Sequence, residues 1–291
     1  MGCRQTYDLK HIVHIRGVDH PESISVGPDG EAYTTGTGGQ VYRLDLGTNT
    51  AEQFASTAPR RMLGQAVDRE KNLYCADASS PAGKVIRLTP EGKESTYATG
   101  PGGRGFICTN YPAFDRNGNM YLSDSGDWSD TVNGHIYKIP PGGGEARIWY
   151  PELVDTPNAI ALDAEEKQLY FVETFGNSIA RIGINADGSA GLFERVVHMP
   201  CHIPDGIAFD EEERLWIACH RPDAIYVFDL ATRRLELFAE DWQGESLRGP
   251  TDVAFAGPNR DILLAASLDN LVVHRFDNTG VRGLRLNNPK L

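Results

Sequence analysis

Apolar and polar residues alternate along this chain in short runs, and the runs return in the same order. One unit reads Tyr111-Pro112-Ala113-Phe114-Asp115, a turn Arg116-Asn117-Gly118-Asn119, and then Met120-Tyr121-Leu122-Ser123. A loop leads to His135-Ile136-Tyr137-Lys138-Ile139, and a Pro-Gly-rich turn to Ala146-Arg147-Ile148-Trp149. A later unit repeats the scheme as Ile207-Ala208-Phe209-Asp210, Arg214-Leu215-Trp216-Ile217-Ala218, Ala224-Ile225-Tyr226-Val227-Phe228 and Leu235-Glu236-Leu237-Phe238. Short runs of period two, bounded by Gly, Pro, Asn and Asp, predict strands. No stretch carries the 3.6-residue period of a long amphipathic helix.

Six units superimpose. At one aligned position they carry Glu22, Leu63, Asn110, Asn158, Asp205 and Thr251, separated by 41, 47, 48, 47 and 46 residues. Four-strand repeats of roughly 40–50 residues predict a β-propeller. The expectation is an all-β, six-bladed propeller, with four-stranded antiparallel blades around a central channel, as one domain over residues 1–291. The last unit supplies three strands, and its fourth is expected from His11–Ile15, with Gly283–Leu286 as rival. Such pairing of the chain ends removes an exposed sheet edge.

Some repeated residues read as scaffold. Asp68, Asp115, Asp163 and Asp210 each fall five residues past the aligned position, where an Asp side chain can tie its own turn. Tyr33, Tyr74, Tyr121, Tyr170 and Trp216 recur in the second strands and are expected to pack between blades.

The aligned position itself varies between copies. In a propeller the first strand of each blade lines the channel, so Glu22, Asn110, Asn158 and Asp205 would converge at one depth. Two carboxylates and two amide oxygens form an all-oxygen set. It suits Ca2+, which takes 6–8 oxygens, and suits Mg2+ or Mn2+ less decisively. Zn2+ would be expected to recruit His or Cys. The competing reading is a channel that is polar because it is wet. Against it, two carboxylates with no basic partner among the aligned residues would repel one another without a metal.

The longer loops are expected above these residues, on the face where function concentrates. Asp124, Glu173, His202 and His220 are candidates there for substrate contact or proton transfer. Tyr111 adjoins Asn110, and Phe106 and Trp128 could form an apolar lid.

Charge and cysteine usage narrow the class. The 291 residues carry a formal net charge of -12, which disfavours nucleic acid and anionic membrane surfaces. Five scattered cysteines without CxxC spacing read as reduced thiols in a cytoplasmic protein. No apolar run approaches a membrane span, and the N-terminus lacks the apolar core of a signal peptide. Met1-Gly2-Cys3-Arg4-Gln5-Thr6 fits the short myristoylation pattern, which counts only in a eukaryotic host. Monomer and dimer are both compatible with the sequence.

The series Glu22-Ser23, Asn110, Pro157-Asn158 and Pro204-Asp205-Gly206, on a six-copy repeat, resembles the gluconolactonase, senescence marker protein (regucalcin) and luciferin-regenerating enzyme family. Diisopropylfluorophosphatase has a related fold. The most specific piece is Pro-Asp-Gly followed by Ile207-Ala208-Phe209-Asp210, supported by Pro250-Thr251-Asp252-Val253-Ala254-Phe255. The resemblance implies one divalent cation in the channel, usually calcium or zinc, and hydrolysis of lactones or related esters. It implies Glu22, Asn158 and Asp205 as main metal ligands and Asn110 as ligand or substrate contact. Asp205 would also be general base or nucleophile. Sugar-lactone relatives tend to carry an Arg two residues before Asn110 and an Asp just after it. Here stand Cys108 and Tyr111, which points to a less polar substrate. The alternatives are an organophosphate or other ester hydrolase on the same metal, a non-catalytic binding propeller, and metal-free strictosidine-synthase-like chemistry.

Overall fold

The computed structural model describes residues 6–57, 60–79 and 81–291. The Met1–Thr6 pattern and Cys3 therefore fall on or beside residues outside the description. Six antiparallel sheets follow one another around an axis. Their innermost strands are Pro21–Val26, Met62–Val67, Thr109–Phe114, Pro157–Leu162, Pro204–Phe209 and Pro250–Ala256. The only helical pieces among the described residues are two three-residue 3-10 turns, and none is long and apolar enough to cross a membrane.

The recurring side chains do what their chemistry suggests. Asp68, Asp115, Asp163 and Asp210 each accept backbone N–H groups from the following turn, for example Asn119 N at 2.8 Å from Asp115. The second-strand aromatics reach across to the next blade. Tyr74 meets Phe114 at 5.0 Å, Tyr170 meets Phe209 at 5.1 Å, and Trp216 meets Phe255 at 5.3 Å between ring centroids. Edge-to-face contacts of this kind join neighbouring sheets beyond simple burial. The third blade departs from expectation. Its outer strand is only Arg147–Ile148, while Gly144–Glu145 pairs in parallel with Glu94–Thr99 of the second blade.

The ring closes where the two chain ends meet. Val13–Ile15 pairs antiparallel with Val272–Phe276, as expected for the N-terminal segment. The rival segment has a different role. Leu284 N donates to Phe209 O at 2.9 Å, Asn287 Nδ2 to Phe114 O at 3.0 Å, and Asn288 Nδ2 to Val67 O at 2.9 Å and Val26 O at 3.2 Å. The C-terminal segment thus runs across the far end of the channel and ties the ends of several inner strands. Between it and the polar level lies a cavity of about 140 Å³, bordered by Ile24, Gln65, Tyr111, Ile160, Ile207 and Val253.

Closure places His14 directly opposite His274, with their Nδ1 atoms 3.1 Å apart. His274 is fully buried, and burial, then the His14 charge, pushes it down to about 3. In the unfolded chain it takes up a proton below about 6.5. The folded state stays neutral there, so the unfolded state binds protons first and stability falls as pH drops from 6.5 toward 3. Comparing urea unfolding at pH 7 and pH 5, we expect the wild type to lose on the order of 1–2 kcal/mol more than His274→Phe. Equal losses would remove His274 as a source of acid sensitivity.

Candidate metal centre in the channel

Each inner strand gains one residue over its partner at the level of the aligned side chain. In the first blade Pro21 pairs with Gly36 and Ile24 with Thr34, three steps against two. The same shift occurs at Met62/Gln65, Thr109/Pro112, Pro157/Ile160 and Pro204/Ile207, and between Pro250 and Asp252 in the last blade. A β-bulge re-aims side chains and breaks the simple alternation of the strand. Six bulges at one height present the six aligned residues at one level of the channel. The backbone just before them is strained in two blades: His20 and Thr156, two residues ahead of Glu22 and Asn158, have φ of 45° and 43°. Left-handed backbone is rare for non-glycine residues and costs free energy, especially at a β-branched residue.

The two asparagines are held alike. Asn110 Nδ2 donates to Ser125 Oγ at 2.9 Å, and Asn158 Nδ2 to Thr174 Oγ1 at 3.2 Å. Ser125 and Thr174 follow equivalent second-strand ends and donate onward to Pro157 O and Pro204 O. Committing the NH2 group to the scaffold frees the amide oxygen for a cation. Asn158 Nδ2 also donates to Asp205 Oδ1 at 2.6 Å. Thr251 Oγ1 donates to Glu22 O at 2.8 Å, so this aligned residue fixes backbone. Leu63 is buried and apolar.

The electrostatics are those of crowded carboxylates. Burial pushes Glu22 up to about 7, with Arg61 pulling the other way. Asp205 is held well above the usual carboxylate range by burial, then by the charges of Glu22 and Asp252, against the Asn158 hydrogen bond. Asp252 is the residue that the repeat pattern hides, since it adjoins an aligned position without occupying it. Burial pushes it to about 7 although Ile24 N, Tyr111 and Val253 N all donate to it. The Tyr111 hydroxyl reaches Asp252 Oδ2 at 3.0 Å from the opposite blade. That bar across the channel floors the ring and separates it from the cavity below.

The donor set fits a hard divalent cation. It is all oxygen, two members are carboxylates of which Glu22 raises Asp205, and the basic group whose charge reaches Glu22 is the exposed Arg61. No group of three or more His, Cys, Asp or Glu side chains suited to a metal exists among the described residues.

The rim candidates are placed variously. Asp124 is buried and accepts Ile107 N at 2.9 Å and Cys108 N at 2.7 Å, which fixes the loop entering the third blade. Glu173 is buried and pairs with Arg195 and Ser178. Phe106 is buried against Tyr137. His202 meets the Tyr226 hydroxyl at 3.1 Å, and His220 lies 3.8 Å from Asp269. Tyr111 points down the channel to Asp252 rather than outward. The structure thus gathers Glu22, Asn110, Asn158 and Asp205 at one level and gives Asp124, Glu173 and Phe106 scaffold partners.

Gly206 of the Pro-Asp-Gly segment is required by close approach. A Cβ there would overlap the backbone of Thr251 and Asp252 in the next inner strand. Backbone cannot yield as a side-chain tip can, so Gly206→Ala should destabilise the protein by about 1–3 kcal/mol in urea unfolding. An unchanged midpoint would show that the two strands can separate freely.

Comparison with known proteins agrees with this architecture. Residues 37–269 match the family profile described as SMP-30/Gluconolactonase/LRE-like region, and residues 10–44 match one described as Strictosidine synthase-like, N-terminal. The lactonase drp35 of Staphylococcus saprophyticus is 21% identical over 243 residues, covering 80% of this chain and 74% of that protein. A gluconolactonase of Xanthomonas campestris superimposes with a TM-score of 0.75 at 16% identity, covering 93% of this chain and 88% of the other. A calcium-binding regucalcin of Agrobacterium tumefaciens gives a TM-score of 0.75 at 17% identity, with coverage of 94% and 95%.

Proposed function

Since the chain belongs to the SMP-30/gluconolactonase/LRE-like family, we propose that it is a divalent-metal-dependent hydrolase that opens a lactone, with Ca2+ as the cation. The observation that carries this reading is the ring itself: a buried Asp205 raised by the charge of a half-buried Glu22, with two asparagines whose NH2 groups are already committed. The lactonase name of the Staphylococcus relative supports the same chemistry. The substrate is a small cyclic ester.

Glu22, Asn158 and Asp205 would hold the cation, with Asn110 as a fourth oxygen or a substrate contact. When bound, the cation supplies Lewis-acid polarisation of the ring carbonyl and keeps the nearby carboxylates ionised. Asp205 then takes a proton from the attacking water. The Asn158 amide aims the Asp205 carboxylate through its 2.6 Å hydrogen bond. Thr251 holds the Glu22 backbone in place. The Tyr111–Asp252 bar keeps the floor of the site at fixed depth.

Two tests follow. Asp205→Asn should lower kcat at least about 100-fold with unchanged circular dichroism, and full retention of turnover would exclude Asp205 as the base. EDTA should abolish lactone opening and added calcium restore it. Loading must displace protons from Glu22, raised to about 7, and from Asp205, raised well above the usual carboxylate range, so affinity falls as pH drops through 7. Calorimetry should show calcium binding weakened about tenfold between pH 8 and pH 6. A flat profile would mean that these carboxylates are not the ligands.

A further inference from the structure

An apolar wall rises from the metal centre on one side of the mouth. It begins at Leu63, the one hydrocarbon side chain of the aligned ring. Leu63 packs with Ala78 and Cys108, and Trp128 lies against that cluster. The Trp128 indole N–H donates to Cys108 Sγ at 3.2 Å. Trp128 in turn meets Phe175 edge to face at 5.6 Å. Phe175 is 47% exposed. Burial pushes the Cys108 thiol up, so it is neutral here. The strip runs continuously from the ring to solvent and draws on the second, third and fourth blades.

Two further observations make the wall more than loop packing. Trp128 has φ of 54°, a left-handed backbone that a bulky residue rarely adopts. Its loop is over-determined by hydrogen bonds from Ser129 N and Oγ to Asp127, and from Asp127 N to Asn133. Strain held in this way is typical of residues placed for a purpose. The apolar rim also continues beside it. Val132 is 44% and Leu153 50% exposed, and their loops are joined by the pairing of Gly134 with Val154.

The carboxylates on this side are already used, and the charged group left near Glu22 and Cys108 is the exposed Arg61 at the rim. Asp124 is taken by backbone N–H groups, Glu173 by Arg195 and Ser178, and Asp77 by Ser79 N and Arg60. A polyhydroxylated ring seated against the strip would bury hydroxyls without hydrogen bonds, which costs free energy. An alkyl or aryl group there would instead bury apolar surface on both sides.

We propose that Leu63, Cys108, Trp128 and Phe175 receive an apolar substituent on the ring, so that the substrates are alkyl- or aryl-substituted lactones rather than polyhydroxylated ones. Trp128 is the main specificity-determining residue. The proposal rests on the lactonase reading for its chemistry, while the wall itself can be tested by binding alone.

The calcium-loaded protein is assayed with a matched set of five- and six-membered lactones bearing hydrogen, hexyl, phenyl or several hydroxyls. Binding of the corresponding unreactive lactams is measured by calorimetry. The substituted rings should show kcat/KM at least about tenfold above the polyhydroxylated ones. Trp128→Ala should lose about tenfold more on the phenyl ring than on the unsubstituted ring, mainly through KM. Trp128→Phe should recover most of that difference. Preference for polyhydroxylated lactones, or an equal loss on all rings, would overturn the wall. If no lactone is opened but phenyl-lactam binding still depends on Trp128, the hydrolase reading fails and the wall stands. If no lactam binds with such dependence, the wall fails whatever the turnover.

Discussion

Everything at the centre of this protein depends on a sheet shared by the two ends of the chain. Val13–Ile15 completes the blade formed by the last three strands, and only a closed ring makes six inner strands face one axis. Without it, Glu22 and Asp205 would belong to opposite ends of an open array. The cross-chain pairing thus fixes the distance between functional groups that sequence separates by most of its length. The same seam buries His274 against His14, a neutral pair that protonation would disfavour.

Within the ring, six bulges do the local work. A regular strand would turn successive side chains to opposite faces. One extra residue at the same level in each inner strand breaks that alternation and delivers the aligned side chain to the channel. The scaffold around the ring uses polar groups sparingly and in repeated form: Ser125 and Thr174 hold the two asparagines, Thr251 holds backbone, and Gly206 lets the fifth and sixth inner strands touch. The floor is the Tyr111–Asp252 bar, and the far end is tied by the C-terminal segment. Two carboxylates enclosed in such a frame, Asp205 buried and Glu22 half-buried, are costly unless a cation neutralises them, so the frame and the proposed chemistry share one electrostatic requirement.

Much of the fold was legible along the chain because period-two runs, turn aspartates and second-strand aromatics recur at a constant spacing. Those features are local. The short outer strand of the third blade, and the parallel pairing of Gly144–Glu145 with its neighbour, were not legible, since they depend on which blade edge lies nearby. The four oxygen donors were visible as a column of the repeat. Asp252 was not, because it stands one place outside that column, and its meeting with Tyr111 crosses the ring. Asp124 and Glu173 looked available for chemistry as exposed loop acids would, but backbone N–H groups and Arg195 engage them in the folded chain.

By itself, the sequence determined the repeat, the number of blades and the set of aligned donors, because each is written in local pattern and in comparison between copies. The tertiary structure alone decided which polar groups are free. It spent Asp124 and Glu173 on the scaffold, turned Tyr111 toward the floor, sent Gly283–Leu286 under the channel, and joined Leu63, Cys108, Trp128 and Phe175 into one wall. The physical reason is that hydrogen bonding and burial are settled between residues distant in the chain, and no local pattern records who the partner will be.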